Sequence, residues 1–443
     1  LEVTKLPAGA RFYKCALQVN PSHYANTYRG QRRGLDDEQY IRSLVERARA
    51  LEISVIAVAD HNHVGSVDRT RELAREHGIY VFPGFELSSS EGVHVLCLYP
   101  PNEQEDRLGR FLGEFGIRDT SPSTALSNKS FTEILQCVRE QGGVTIAAHI
   151  TTDKGLFQVL DGQARIRAWK DENLLAVQIP GSADALPAEM RGIIRNQDAN
   201  YRRPHPASNE LAVAVLNARD IANVDDLAEQ SATCWIKMTG VSIEGLRQAF
   251  LDPGSRVRLN SDVIPEEHAE LIALRWEGGF LDGAAIHFNP NLNVLVGGRG
   301  TGKSTVVESL RYVLGLEPVG DEARKVHQGI IGQVLRSGTK LSLIVRARRP
   351  AVREYRIERT VPNPPLVRDE RGDVSNLSPQ EVLPRVEVYG QHEISELTKS
   401  REKLTRLLDR FVERDESLMR RKVDLRRELE KNRRSLLETR SEL

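Results

Sequence analysis

The most chemically specific stretch of the 443-residue sequence is Gly297-Gly298-Arg299-Gly300-Thr301-Gly302-Lys303-Ser304-Thr305. It fits GxxxxGK[ST], and each residue type has a physical task. Glycines let the backbone turn so that successive N–H groups point inward at phosphate oxygens. Lys303 sets a cation against the β and γ phosphates, and the Ser304 hydroxyl can hold Mg2+. A helix opening at this point turns its positive end toward the same anion. The apolar run 291–296 and the helical pattern 301–314 predict strand, loop and helix in the order such a loop needs, which an accidental glycine-rich turn would lack.

A second set of reactive side chains lies in the N-terminal half: Asp60-His61-Asn62, Glu86, His94, His149 and Asp220. Each stands at the C-terminal end of an apolar, strand-like run. Strand ends of a barrel converge on one face, and imidazoles and carboxylates gathered there are natural ligands for Zn2+, Mn2+ or Fe. One such histidine is ordinarily a structural residue; five sites in strand-end register are harder to explain that way.

The elements that must position these groups follow from periodicity. A helical face over 36–51 precedes a β-branched run, 53–60, that reads as a buried parallel strand. Helix 69–77, strand 79–82, an apolar run 93–99, helix 131–140 and strand 143–148 follow. Runs at 174–179, 211–216 and 233–238 complete the series. Strand–helix alternation over this length predicts parallel α/β, as a barrel or an open sheet. The stretch 100–130 shows no clear period and is expected to be a long loop. Residues 253–268 read as a linker between a domain at 12–252 and another at 269–400. The latter holds an antiparallel hairpin at 341–347 and 354–361 and an irregular, proline-bearing segment at 362–384. From 401 to 443, Leu404, Leu408, Phe411, Leu418, Leu425, Leu429, Leu436 and Leu443 fall on a 4-3 spacing interrupted by Asp415, Lys422, Asn432 and Thr439, the seam of a coiled coil with polar interruptions.

Composition narrows the function classes. Lys+Arg and Asp+Glu are equal at 62 each, 40% of residues are hydrophobic and 28% charged, an ordinary globular balance. No apolar run reaches the ~18 residues of a membrane span, and no secretory signal is expected. Cys15, Cys97, Cys137 and Cys234 form no CxxC pair, which excludes a zinc ribbon and fits small buried thiols in a reducing cytosol. Zero net charge does not exclude nucleic acid, because local clusters decide binding; 29–33, Arg202-Arg203 and 346–349 are basic.

The segment 291–305 resembles the head of SMC-like ABC ATPases, and the resemblance covers about 270–443. It implies ATP and Mg2+ as ligands. Val386-Glu-Val-Tyr-Gly-Gln391-His-Glu-Ile394 looks like the glutamine loop of such heads, which implies that Gln391 contacts Mg2+ and the attacking water. Arg299 stands where these heads often carry Asn. No LSGG-like stretch and no apolar run ending in Asp-Glu follows residue 305. The resemblance therefore implies the N-terminal half of a head, with the catalytic lobe and the returning coil strand supplied elsewhere, and an ATP-dependent head-to-head homodimer. Leu1 in place of Met is likewise read as a missing native N-terminus.

The strand-end series resembles the PHP domain, a distorted (βα)7 barrel with phosphoesterase activity on two or three metals. In the family pattern Glu86, His94 and His149 form one metal position, which is intact; positions using Asp60, His61 and Asp220 are weakened. Both histidines of the opening motif are replaced, by Gln18 and Asn20, and Asp220-Ile-Ala222 lacks the closing histidine. Neutral amides are weak metal donors, so the barrel is expected to be phosphoesterase-dead or to hold a single Zn2+, Mn2+ or Fe. Together the halves resemble the TrlF-type PHP–ATPase fusion family of bacteria. That resemblance implies a cytoplasmic ATPase acting on or sensing DNA or RNA in repair or anti-phage defence, with a repair or defence partner protein and no membrane. Two alternatives stay open: a metal-dependent PHP nuclease regulated by the ATPase, and a non-catalytic assembly scaffold.

Overall fold

The structure is a computed structural model that describes residues 8–21, 36–118, 122–208, 210–221, 223–262, 268–318, 320–348, 352–384, 386–390 and Glu393, with Thr405, Arg421, Leu425, Glu428, Leu429 and Asn432 beyond. The chain divides into two compact units, Ala8–Glu266 and one that includes Glu267–Leu443.

In the N-terminal unit, β1 (Arg11–Val19) leads to α1 (Asp37–Ala50). Asp36 caps α1 by accepting from Gln39 N, and Tyr40, Ile41, Leu44, Val45 and Ala48 form its buried face. There follow β2 (Val55–Val58), α2 (Val67–Glu76), β3 (Tyr80–Phe82), β4 (Gly84–Ser88), β5 (His94–Leu98), α3 (Glu105–Glu114), α4 (Phe131–Glu140), β6 (Val144–Ala147), α5 (Gly162–Lys170), β7 (Ala176–Ile179), α6 (Ala188–Ile194), β8 (Ala214–Asn217), β9 (Cys234–Met238), α7 (Ile243–Leu251) and β10 (Val257–Leu259). They build two five-stranded sheets, ordered β10-β9-β1-β2-β3 and β4-β5-β6-β7-β8. Phe82, Phe85, Phe115, Phe131, Trp169 and Phe250 are fully buried within one contiguous core.

The expected parallel barrel is only part of this arrangement. β1, β2 and β3 pair parallel, as do β6, β7 and β8, but β9 joins β1 antiparallel and β10 joins β9 antiparallel, and β4 and β5 lead antiparallel into β6. The connection from β4 to β5 is too short for a helical crossover, so those strands can pair only as a hairpin. Among the described residues no ladder joins β8 to β10. Two stretches are more regular than their composition suggests. The expected loop 100–130 contains α3, which buries Leu108, Phe111 and Leu112 at helical spacing. The expected linker 253–268 begins with a one-turn helix, Pro253–Arg256, and then β10, which continues the first sheet.

In the C-terminal unit, β11 (Glu270–Glu277), β12 (Ala285–His287), β13 (Lys340–Ala347), β14 (Arg353–Thr360) and β15 (Leu366–Arg368) form an antiparallel sheet ordered β12-β11-β13-β14-β15. The hairpin β13–β14 matches the sequence reading. Leu341, Leu343, Val345 and Ala347 alternate inward along β13. Helix α8 (Lys303–Leu314) shares their core through Val306, Tyr312, Val313 and Leu314. Ser309 Oγ ties it to the sheet by accepting from Trp276 Nε1 at 2.9 Å.

Two expectations for this unit need correction. Residues 291–296 form no strand; Leu292, Val294, Leu295 and Val296 are exposed. A β-branched, apolar sequence makes a strand only where another strand accepts its ladder, and no described strand lies beside it. The irregular segment 362–384 holds β15 and a one-turn helix, Pro379–Val382, capped reciprocally by Ser378 and Glu381. The coiled coil expected over 401–443 lies almost wholly outside the described residues; Leu425 and Leu429 of its seam are helical and exposed.

A buried charge cluster holds α8 to its surroundings. Arg311, 1% exposed, pairs with Glu308 at 3.0 Å and with Glu393, and Glu308 also takes His327 Nδ1 at 2.6 Å from α9 (Asp321–Gly329). Removing the cation would strand two carboxylates in a dry interior. Arg311→Leu is therefore expected to destabilise this unit by about 3–5 kcal/mol, read as a lowered thermal unfolding midpoint.

Candidate functional site

The glycine-rich loop is solvent-exposed and sharply turned. Gly300 and Gly302 adopt φ of 80° and 97°, a region costly for other residues. A Cβ at Gly297 would meet Thr301 Oγ1 at 2.7 Å. Thr301 Oγ1 donates to Gly298 O at 2.9 Å, and Lys303 Nζ donates to Gly297 O at 2.7 Å and Gly298 O at 2.6 Å. The loop thus curls around its own ammonium group, and α8 opens directly at Lys303 with Ser304 exposed and Thr305 buried. Arg299 sits at the exposed tip. Gln391 lies outside the described residues, so its expected role belongs to the proposal below. Its neighbours are anchored: Glu393 receives the Gly390 N–H and the Arg311 guanidinium, the latter about two turns beyond Ser304 on α8.

The second site is built around Glu86, fully buried in β4. Backbone bonds from Glu86 N to Asp60 O (3.0 Å) and from Asn62 N to Glu86 O (2.8 Å) pin the end of β2 to β4. That brings His61 Nε2 to 3.6 Å from Glu86 Oε1, with His94 Nδ1 at 2.9 Å and His149 Nε2 at 3.4 Å. The atoms of His61, Glu86 and His94 all lie within 4.8 Å of one another. The structure thus brings His61 to the same carboxylate oxygen as His94 and His149. Asp60 accepts from Ser66 Oγ at 2.9 Å. Asp220 reaches the cluster through Gln18, whose Nε2 donates to Asp220 Oδ1 at 2.5 Å and to Glu86 Oε2 at 2.9 Å.

The electrostatics follow from burial. Burial drives the Glu86 carboxyl upward, but His61, His149 and His94 outweigh it and hold it well below the usual carboxylate range. Burial pushes His61 down to about 4 against the pull of Glu86. Burial also opposes a charged His149, yet its close approach to the Glu86 carboxylate and the charge of Asp220 raise it. Glu86 Oε1 is buried and, among the described residues, makes no well-directed hydrogen bond, although three imidazole nitrogens converge on it. An N3O donor set around an under-satisfied carboxylate oxygen fits one divalent transition metal.

Several contributing residues carried no motif. Gln178, buried in β7, accepts from His149 N at 3.1 Å and donates to Gln18 Oε1 at 2.7 Å. A glutamine inside Ala-Val-Gln-Ile was the available signal. Thr152 Oγ1 lies 2.7 Å from His149 Nδ1 and leaves Nε2 for Glu86. His149 itself holds a φ of 26°, strain of a kind that collects at functional sites. Lys154 and Arg219 line a cleft of about 550 Å3 together with His94, His149, Gln178 and Asp220. The basic clusters are mostly spoken for. Arg203 donates to Trp169 O and Asp171 O beyond α5; Arg346 pairs with Glu270 and Glu354, and Arg348 with Glu270. The cluster at 29–33, with His23, lies outside the described residues, as does Arg349.

Residues 278–443, in the C-terminal unit, match the AAA domain family. An uncharacterized protein of Methanocaldococcus jannaschii is 28% identical over 114 residues, 26% of this chain; the chain spans about half, 54%, of that relative. Among solved structures, Endonuclease Q in complex with a 27-mer duplex bearing an abasic lesion is 15% identical with a TM-score of 0.37, covering 56% of this chain and 58% of that one. The lesion-specific endonuclease of Pyrococcus furiosus is 14% identical with a TM-score of 0.38, covering 59% and 62%. Likeness at that level says nothing about the chemistry of these residues. No described helix is long and apolar enough to cross a membrane.

Asn20 also has a structural task at this site. Its Nδ2 donates to Ala59 O and its Oδ1 accepts from Ile221 N, each at 3.0 Å and buried. Asn20→Ala is expected to cost about 2–4 kcal/mol, because two buried backbone groups lose their partners; urea unfolding would show a lower midpoint.

Proposed function

We propose that this chain binds Mg2+·ATP through 297–305 as the N-terminal half of an SMC-like ABC head. We further propose that the unit acts on or senses DNA or RNA in bacterial repair or anti-phage defence, beside a PHP-like barrel that holds a single metal. The observation that carries the reading is the Lys303 ammonium enclosed by Gly297 O and Gly298 O at the mouth of α8, under an AAA domain match. In this reading the ammonium exchanges two carbonyl partners for phosphate oxygens, and loop N–H groups and the α8 terminus complete the cradle. Ser304 holds Mg2+, and Gln391 approaches the γ-phosphate on a segment that Arg311 secures through Glu393. Hydrolysis and head-to-head dimerisation are assigned to the assembled head, and the partner protein to the full-length protein.

In the barrel, Glu86, His94, His149 and His61 would hold the metal, with Asp60 and Asp220 outside its immediate reach. A bound divalent ion supplies Lewis-acid polarisation of a phosphoryl oxygen and activation of water. A second reading, a metal-dependent phosphoesterase regulated by the ATPase unit, draws on the cleft where Lys154 and Arg219 offer positive charge beside His149.

Lys303→Ala is expected to weaken binding of a fluorescent ATP analogue by about 10–100-fold, the loss of a charge-assisted contact. Undiminished binding would defeat the nucleotide reading. Glu86→Gln is expected to abolish retention of Mn2+ or Zn2+ through desalting, measured by elemental analysis, while wild type keeps about one ion per chain. Equal metal content in the two proteins would remove the barrel site from the reading.

A further inference from the structure

Gln18 is 1% exposed and stands between two carboxylates. One Nε2–H is directed at Glu86 Oε2 (2.9 Å) and the other at Asp220 Oδ1 (2.5 Å). Its orientation is not free. Gln178 Oε1 accepts from the His149 backbone N–H, so Gln178 Nε2 must face the other way, toward Ala218 O and Gln18 Oε1. Gln18 Oε1 is thereby committed as an acceptor, and its amino group can only point at the carboxylates. Two backbone groups thus set the direction of a two-amide relay that ends on the acids.

We infer that the Gln18 amide is a built-in substitute for a second metal ion and limits the barrel to one ion, the one at Glu86 Oε1. A cation shared by Glu86 and Asp220 would need their oxygens at about 2.0–2.2 Å, and Nε2 already fills the space between them. The amide supplies two N–H donors where an ion would supply charge, so both acids stay partnered without a metal. Gln18 has no lone pair directed at this space, and its one carbonyl oxygen is occupied by Gln178. The inference rests on the single-metal reading of the same site, and it reaches beyond that reading by naming the device that excludes the second ion.

The test is ion stoichiometry of the full chain loaded with Mn2+ and desalted, for wild type, Gln18→His and Gln18→Ala. Thermal unfolding with and without Mn2+ accompanies it. The expected result is about one ion in wild type and about two in either variant that folds, with a larger Mn2+-dependent rise in Tm for the variant than for wild type. Two ions in wild type overturn the inference outright. So does a folded variant that still holds one ion and shows no added Tm response. No ion in wild type but one in a variant overturns the Glu86-centred reading and leaves the role of the amide standing; no ion in any of the three overturns both.

Discussion

A fully buried, ionised carboxylate needs compensation from every direction, and much of the N-terminal unit is arranged to supply it to Glu86. Its backbone is clamped by Asp60 and Asn62, which draws the first sheet to the second. One oxygen collects three imidazoles, and the other receives the Gln18 amide. Thr152 and Gln178 then fix His149 and Gln18 in the orientations this requires. Without such partners a charge at this depth would cost several kcal/mol, and the strand ends would have little reason to converge.

The glycine-rich loop follows the opposite strategy. It lies at the surface, and its polar groups are satisfied locally by Thr301 and Lys303. Rigidity comes from beneath, where α8 is packed on the sheet by Trp276 and Ser309 and locked by the Arg311 cluster. The arrangement suits a ligand that brings its own charge and counter-ion: the loop needs a stable base and an exchangeable set of contacts, not a preformed enclosure.

Much of this was legible in residue order. Helix α1 announced itself by an apolar face, β13 by strict alternation, and the loop by glycine spacing that few other tasks demand. The reach of His61 was harder to see, because a bridge between the end of β2 and β4 is a long-range event with no local pattern. Gln178 and Thr152 were missed for the same reason: each matters through what it touches, and neither has a motif. Strand direction was misjudged at β5 and β9, since an apolar run has the same look in parallel and antiparallel neighbours. The strand expected at 291–296 failed on a different point, because propensity describes one chain segment and a ladder needs two.

That last segment has a practical side. Four aliphatic side chains and an unladdered backbone are presented to water along 291–296, immediately before the glycine-rich loop. Such a surface is adhesive, and charge or proline, the usual guards, are absent from Asn291-Leu-Asn-Val-Leu-Val296. Preparations of this chain will cloud with rising concentration sooner than its balanced composition suggests, and a lysine or proline within those six positions is the place to restore solubility.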